Sequence, residues 1–159
     1  MPRPRQGLYP RLVWRLSAER TPLKWNAENS PEPTVSKEDL AVVFSNIEQI
    51  HGLSTELLAK LKEKEASWDS NQTVADVFMH FMPFFKMYTV FINNFDNANQ
   101  KVGEIESRKR FKQFWEPIRM LHNVGTIGSF LIMPVQRIPR YVLLLRELIK
   151  NTWPDHPDF

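Results

Sequence analysis

Four histidines are the first residues to test for chemistry: His51, His80, His122 and His156. They lie far apart in the chain. No two share the i, i+4 spacing that would put a pair of imidazoles on one helix face, so no metal site is expected. The five glycines never cluster, which leaves no phosphate-cradling loop. There is no Gly-x-Ser-x-Gly elbow, and with no cysteine there is no thiol nucleophile, Cys-type zinc site or disulfide framework. Carboxylate pairs such as Glu104 and Glu106 read as solvated charge. Arg108-Lys-Arg-Phe-Lys112 is a basic run with one aromatic; it reads as the solvated start of a helix or as a contact to nucleic acid or lipid. Neither a catalytic residue nor a cofactor is expected. One stripe is left. Gln136, Arg140 and Glu147 are spaced i, i+4 and i+11, so on a helix they share a face opposite the apolar one. By spacing alone this is either an ordinary polar surface or a docking surface. In the second reading, an arginine held on a rigid helix suits a partner's carboxylate or backbone carbonyl.

The elements that would position this stripe are helical. Residues 1–35 show no sustained period and hold six of the 12 prolines, so they read as tail and linker, with Leu12, Val13, Trp14 and Leu16 available to pack on the body. Ser36-Lys-Glu-Asp39 has the form of a helix start, a serine cap followed by acids. From Leu40 to Leu61 apolar residues recur at helical spacing, which predicts one helix over about 37–67. Asp69-Ser-Asn-Gln-Thr73 predicts a turn and a second cap. From Val74 to about Asn99, Phe and Met occur on nearly every side, which predicts a buried helix at the centre of a bundle. A shorter helix is expected over about 105–121, and a last one from Thr126 to about Asn151, with its period continuing through Pro134 and Pro139. No strand and no internal repeat is visible. The fold class is all-α, an elongated bundle of long helices.

Length and charge narrow the function classes. The chain has 159 residues, 42% of them hydrophobic and 25% charged, enough for one domain with a core. The formal charge of +3 suggests at first a polyanion partner. Its position argues otherwise. Residues 1–20 hold five arginines against one acid, a balance of +4, while residues 21–159 hold 16 basic and 17 acidic groups, a balance of −1. The near-neutral body suits protein–protein docking, and no nucleic-acid partner is expected. The start Met-Pro-Arg-Pro-Arg lacks the apolar core of a secretory signal. The most apolar stretch, Val77 to Phe95, is interrupted by His80, Pro83 and Lys86 and reads as a buried helix rather than a membrane span. The absence of cysteine fits a reducing, cytoplasmic setting.

The run Pro134-Val-Gln-Arg-Ile-Pro-Arg-Tyr141, continued by Leu143-Leu-Leu145, resembles the third signature region of the Dbl homology (RhoGEF) domain, the exchange module of Rho guanine nucleotide exchange factors. Val43-Phe-Ser-Asn-Ile-Glu48 and the stretch Val77 to Tyr88 resemble the middle of the same domain, in the same order and spacing. Pro22-Leu-Lys24 with Ser36-Lys-Glu-Asp-Leu40 is similar to the approach to it, and Asp155-His-Pro-Asp-Phe159 to the short stretch that follows the signature. The resemblance covers about 21–159. Residues 1–20 do not resemble the family's first signature helix, whose acidic residue engages switch I of the GTPase. The family's last helix and the pleckstrin homology domain that usually follows belong beyond Phe159. The resemblance therefore implies a Dbl homology domain truncated at both ends, with apolar helix flanks left uncovered.

It further implies a module that promotes GDP release from a Rho-family small GTPase by binding its switch regions, with no covalent chemistry. Gln136 and Arg140 match the positions that face the switches, and Glu147 shares their face by spacing. Arg137 and Tyr141 are expected to serve internal packing. The implied partner is a Rho-family GTPase of Rho, Rac or Cdc42 type. No membrane span is implied, and any peripheral association with membranes would come through flanking domains. The alternative is a non-catalytic helical fragment that binds another protein.

Overall fold

In a computed structural model the described residues are 22–122 and 125–159, and all of their regular structure is helical. The helices are α1 (residues 22–29), α2 (Lys37–Phe44), α3 (Ile47–Ala66), α4 (Ala75–Phe81), a 3₁₀ turn (Met82–Phe85), α5 (Lys86–Asn93), α6 (Phe95–Ser107), α7 (Lys109–His122) and α8 (Ile127–Lys150). They belong to two compact units. One comprises the described residues up to Ser45 together with Asn94–Met133; the other comprises Asn46–Asn93 with Pro134–Phe159.

In the first unit α2 packs on α6. The core runs through Leu40, Val43 and Phe44 of α2, Ala98, Val102 and Ile105 of α6, Phe111 and Trp115 of α7, and Phe130 and Leu131 at the start of α8. Ser36 caps α2 as its sequence suggests: its hydroxyl accepts the Asp39 N–H at 3.0 Å. Asp39 itself pairs with Arg108 at 2.9 Å and Lys101 at 3.7 Å. Residues 22–35 are not a linker. Leu23, Ala27 and Val35 are buried, and the buried Asn26 accepts from the Thr34 N–H at 2.8 Å and the Thr34 hydroxyl at 2.9 Å. The absence of a long apolar period hid this, because a helix of about two turns and two hydrogen bonds to one side chain suffice to fold the segment. The tail of residues 1–20, with Leu12, Val13, Trp14 and Leu16, lies outside the described residues.

In the second unit α3 packs on α4 and α5. Its inner stripe is Ile47, Ile50, Leu53 and Leu57, which faces Val77 and Phe81 of α4 and Tyr88 and Phe91 of α5 in one core. Burying a leucine such as Leu57 contributes about 2 kcal/mol.

Three expected helices are divided. The helix over 37–67 is α2 and α3, broken at Ser45, whose φ of 43° no helix accommodates. The break is held from elsewhere in the chain. Asn94 Nδ2 donates to the Val42 carbonyl at 2.7 Å, and Asn46 Nδ2 donates to the Met87 carbonyl at 2.9 Å. The helix over 74–99 is α4, the 3₁₀ turn and α5, because Pro83 removes a backbone donor; α6 then fills the space read as a gap and runs to Ser107. Nor is the Phe/Met-rich stretch buried on all sides: Val77, Phe81, Tyr88 and Phe91 are inside, while Met79, Met82, Phe84, Val90 and Ile92 are exposed. The helix over 105–121 starts as α7 at Lys109, after an extended Arg108.

Candidate functional site

The residues of the expected docking stripe lie on the part of α8 that belongs to the second unit. This segment, Pro134 to Lys150, stays helical through Pro139 because its inner face is anchored by packing. Tyr141 is that anchor, only 6% exposed. Phe78 of α4 meets its ring edge-on, with centroids 5.6 Å apart, and Phe85 of the 3₁₀ turn stacks on it at 5.7 Å and 22°. The Arg137 guanidinium lies over the same ring, 4.6 Å from its centroid. These contacts agree with the internal role expected of Arg137 and Tyr141. Phe85 is held in turn against Tyr88, whose hydroxyl shares a hydrogen bond with Ser54 of α3 at 3.2 Å. Burial pushes the Tyr88 phenol above its ordinary range, with the Ser54 hydroxyl pulling the other way.

The opposite side of α8 is exposed. At about 100° per residue, Gln136, Arg140 and Glu147 fall within roughly 40° of arc. All three are exposed, and the stripe is about 16 Å long at 1.5 Å per residue. Among the described residues the side chains of Gln136 and Arg140 make no hydrogen bond or ion pair, so the full guanidinium fork and the amide face outward with their hydrogen-bonding capacity unused. Glu147 is different. Its side chain accepts from Asn151 Nδ2 at 3.2 Å and sits 3.8 Å from Lys150 Nζ, so it is partly occupied at the end of the helix.

Two residues that spacing did not single out belong to the description. Leu143 falls on the same stripe between Arg140 and Glu147 and is 64% exposed. An apolar residue out of phase with the buried stripe was the available signal. Asp158 acts at the end of the segment after α8: its carboxylate accepts the Val74 N–H at 2.6 Å and the Ala75 N–H at 3.0 Å, and so caps α4. No local pattern announces a cap supplied from 84 residues away.

The other candidates are spent or scattered. Arg108 and Arg110 of the basic run are engaged by Asp39 and Glu32, both at 2.9 Å or less. His51 and His80 are exposed, His80 against the rings of Phe81 and Phe84, and His156 Nδ1 accepts the Asp158 N–H at 3.1 Å. Among the described residues no group of three or more His, Cys, Asp or Glu could hold a metal ion, and no helix is long and apolar enough to cross a membrane. The site's chemistry is that of an exposed helix face with a free arginine, a free amide and an exposed leucine, which can bind and can orient.

Residues 13–159 match the family described as the RhoGEF domain. The chain is similar to the Dictyostelium discoideum protein named Rac guanine nucleotide exchange factor JJ, 41% identical over 123 residues, which is 77% of this chain and 10% of that protein. It is similar to the guanine exchange factor for Rac 30 of the same organism, 38% identical over 128 residues, 80% of this chain and 8% of that protein. The FYVE, RhoGEF and PH domain-containing protein 4 of Rattus norvegicus is 34% identical over 121 residues, 74% of this chain and 16% of that protein. The chain thus spans a small part of the length of these relatives. A solved structure of the Vav1 exchange factor has the same fold, with a TM-score of 0.76 and 23% identity, covering 91% of this chain and 39% of that one.

Proposed function

The chain belongs to the RhoGEF domain family, and from that membership we propose that it is the exchange module for a Rho-family small GTPase, acting in the cytoplasm. The observation that carries this reading is the family match over residues 13–159, supported by relatives named for exchange on Rac. A GTPase of Rac type is accordingly the first partner to test.

No bond is made or broken in such a reaction. The module docks on the switch regions of the GDP-bound GTPase, weakens the contacts that hold the nucleotide, and stabilises the nucleotide-free state until GTP enters. Its power is differential binding, tight to the nucleotide-free intermediate and weak to the states on either side. A nucleotide held at picomolar affinity corresponds to about 16 kcal/mol, and offsetting part of it needs an interface of about 1,200–2,000 Å². The α8 stripe is one part of such an interface. Arg140 supplies a permanent charge and five donors for a switch carboxylate or carbonyls. Gln136 adds a donor and an acceptor one turn away, and Leu143 offers apolar area that gains on leaving water. Glu147 stands at the far end of the stripe.

The test is release of a fluorescent GDP analogue from Rho-family GTPases, with Arg140→Ala as control. The chain is expected to accelerate release and the variant to lose most of that acceleration. Release at the intrinsic rate for every Rho-family GTPase tried would refute the reading.

A further inference from the structure

The binding stripe proposed above is presented by one helix, so its aim depends on how that helix is turned about its own axis. Three things on α8 bear on this. At about 100° per residue, Gln136, Arg140, Leu143 and Glu147 lie within roughly 60° of arc, while Tyr141 lies about 140° from Gln136, near the opposite side. Tyr141 is held by two elements outside α8, through Phe78 of α4 and Phe85 of the 3₁₀ turn, and the Arg137 guanidinium closes the ring from its own helix. It directly follows Arg140 in the chain, so the backbone torsions that seat its ring also set the direction of the arginine.

We propose that Tyr141 is a positioning residue for exchange, the pin between Phe78 and Phe85 that fixes the rotation of α8 and keeps Gln136, Arg140 and Leu143 turned toward the GTPase. This inference rests on the exchange reading given above.

The box does this because the two aromatic contacts differ in geometry. Phe78 presents its edge, 72° from the Tyr141 plane, and Phe85 presents its face, at 22°. One stacked and one edge-on neighbour constrain a ring in two directions, and aromatic pairs favour these arrangements over others. A smaller aliphatic replacement would still bury apolar area without fixing the angle. The lever is long enough to matter. A turn of about 20° moves a side-chain tip at roughly 6 Å from the helix axis by about 2 Å. Misplacement by about 1 Å can lower a rate by about 10²-fold. The 3₁₀ turn that Pro83 imposes is part of the same device, since it brings Phe85 to the ring.

The experiment uses the full chain with Tyr141→Leu, which removes the ring, and Tyr141→Phe, which keeps it. Both are checked by circular dichroism and used at a temperature where they are folded. Nucleotide release is measured against exchange-factor concentration. Tyr141→Leu is expected to lower the maximal release rate at least tenfold with a half-saturating concentration changed less than threefold, and Tyr141→Phe to stay within twofold of the parent chain. Because the chain has no cysteine, spin labels can be placed uniquely at Arg146 on α8 and Lys62 on α3, both exposed. Their distance distribution is expected to shift or broaden in Tyr141→Leu and to be unchanged in Tyr141→Phe. A folded Tyr141→Leu that releases nucleotide like the parent, while Arg140→Ala does not, overturns the inference and leaves the exchange reading standing. If the parent and Arg140→Ala both give the intrinsic rate, the exchange reading fails. An unchanged distance distribution in Tyr141→Leu then overturns the inference on its own terms.

Discussion

The Asp158 carboxylate accepts the Val74 N–H at 2.6 Å across 84 residues of chain, and its other oxygen accepts the next N–H, of Ala75, at 3.0 Å. Helix α4 begins at Ala75 with a valine at its cap position, a residue with no acceptor to offer, so the cap is borrowed from the end of the chain. The same contact ties the segment after α8 to the start of the helix that carries Phe78.

Asp158→Ala should therefore cost more than an exposed aspartate near a terminus would suggest. Loss of a side-chain cap destabilises by about 1–2 kcal/mol. The expected result is a lower urea midpoint, with faster amide exchange at Val74 and Ala75. Asp158→Asn, which keeps one acceptor, should fall between the two. An unchanged midpoint would mean that water caps α4 equally well.

Tyr88 links stability to alkaline pH. Burial raises its phenol above the ordinary tyrosine value, so the folded state holds the proton more tightly than the unfolded one. Its contribution is complete below about pH 10 and is lost as pH rises through the raised folded value. Tyr88→Phe removes the hydrogen bond with Ser54 and should cost about 1 kcal/mol near neutrality. Above about pH 10 the parent should lose stability faster than the variant, and the gap between their unfolding midpoints should narrow. A gap that widens would contradict the sign.

Ser45 adopts φ 43° and ψ −126°, where a side chain is strained and glycine is not. Ser45→Gly should raise stability by about 1 kcal/mol, measured by urea unfolding. A loss would show that the added freedom of the unfolded chain outweighs the strain.

The stripe on α8 predicts loss of function without loss of fold. Arg140→Ala should slow exchange by roughly 30-fold, the effect of removing an interface residue worth about 2 kcal/mol. Leu143→Ala should slow it about tenfold, as burial of a leucine is worth about 1.5 kcal/mol or more. Neither should move the melting temperature by more than about a degree, since both side chains are exposed. A parallel fall in melting temperature would assign these residues to the core instead.

What the sequence made legible was whatever is decided locally. The Ser36 cap, the apolar stripe of α3 and the span of α8 follow from residues within a few turns of one another, and the structure places them where the spacing does. The positions of the breaks were not legible. Ser45 and Asn46 do not look like the end of a helix; they become one because Asn94 takes the Val42 carbonyl and Asn46 reaches Met87, contacts that span 52 and 41 residues. The aromatic stretch from Val77 to Phe91 misled for another reason. Composition reports how much apolar surface a helix has, not how much of it is covered, and Met79, Met82 and Phe84 stay exposed. For the candidate site, spacing was enough to group Gln136, Arg140 and Glu147. It gave no means of telling Glu147, occupied by Asn151, from Arg140, which is free.

Pro134 and Pro139 bracket Gln136, and each takes one rung out of the hydrogen-bond ladder of α8. The helix is thus least self-supporting where the stripe begins. A peptide of this sequence would kink or open in its interior around Gln136. On the docking reading proposed above, the directional precision of that surface is on loan from the aromatic layer beneath it, and sequence changes in Phe78 or Phe85 would retune how the module meets a partner without altering a residue of the stripe.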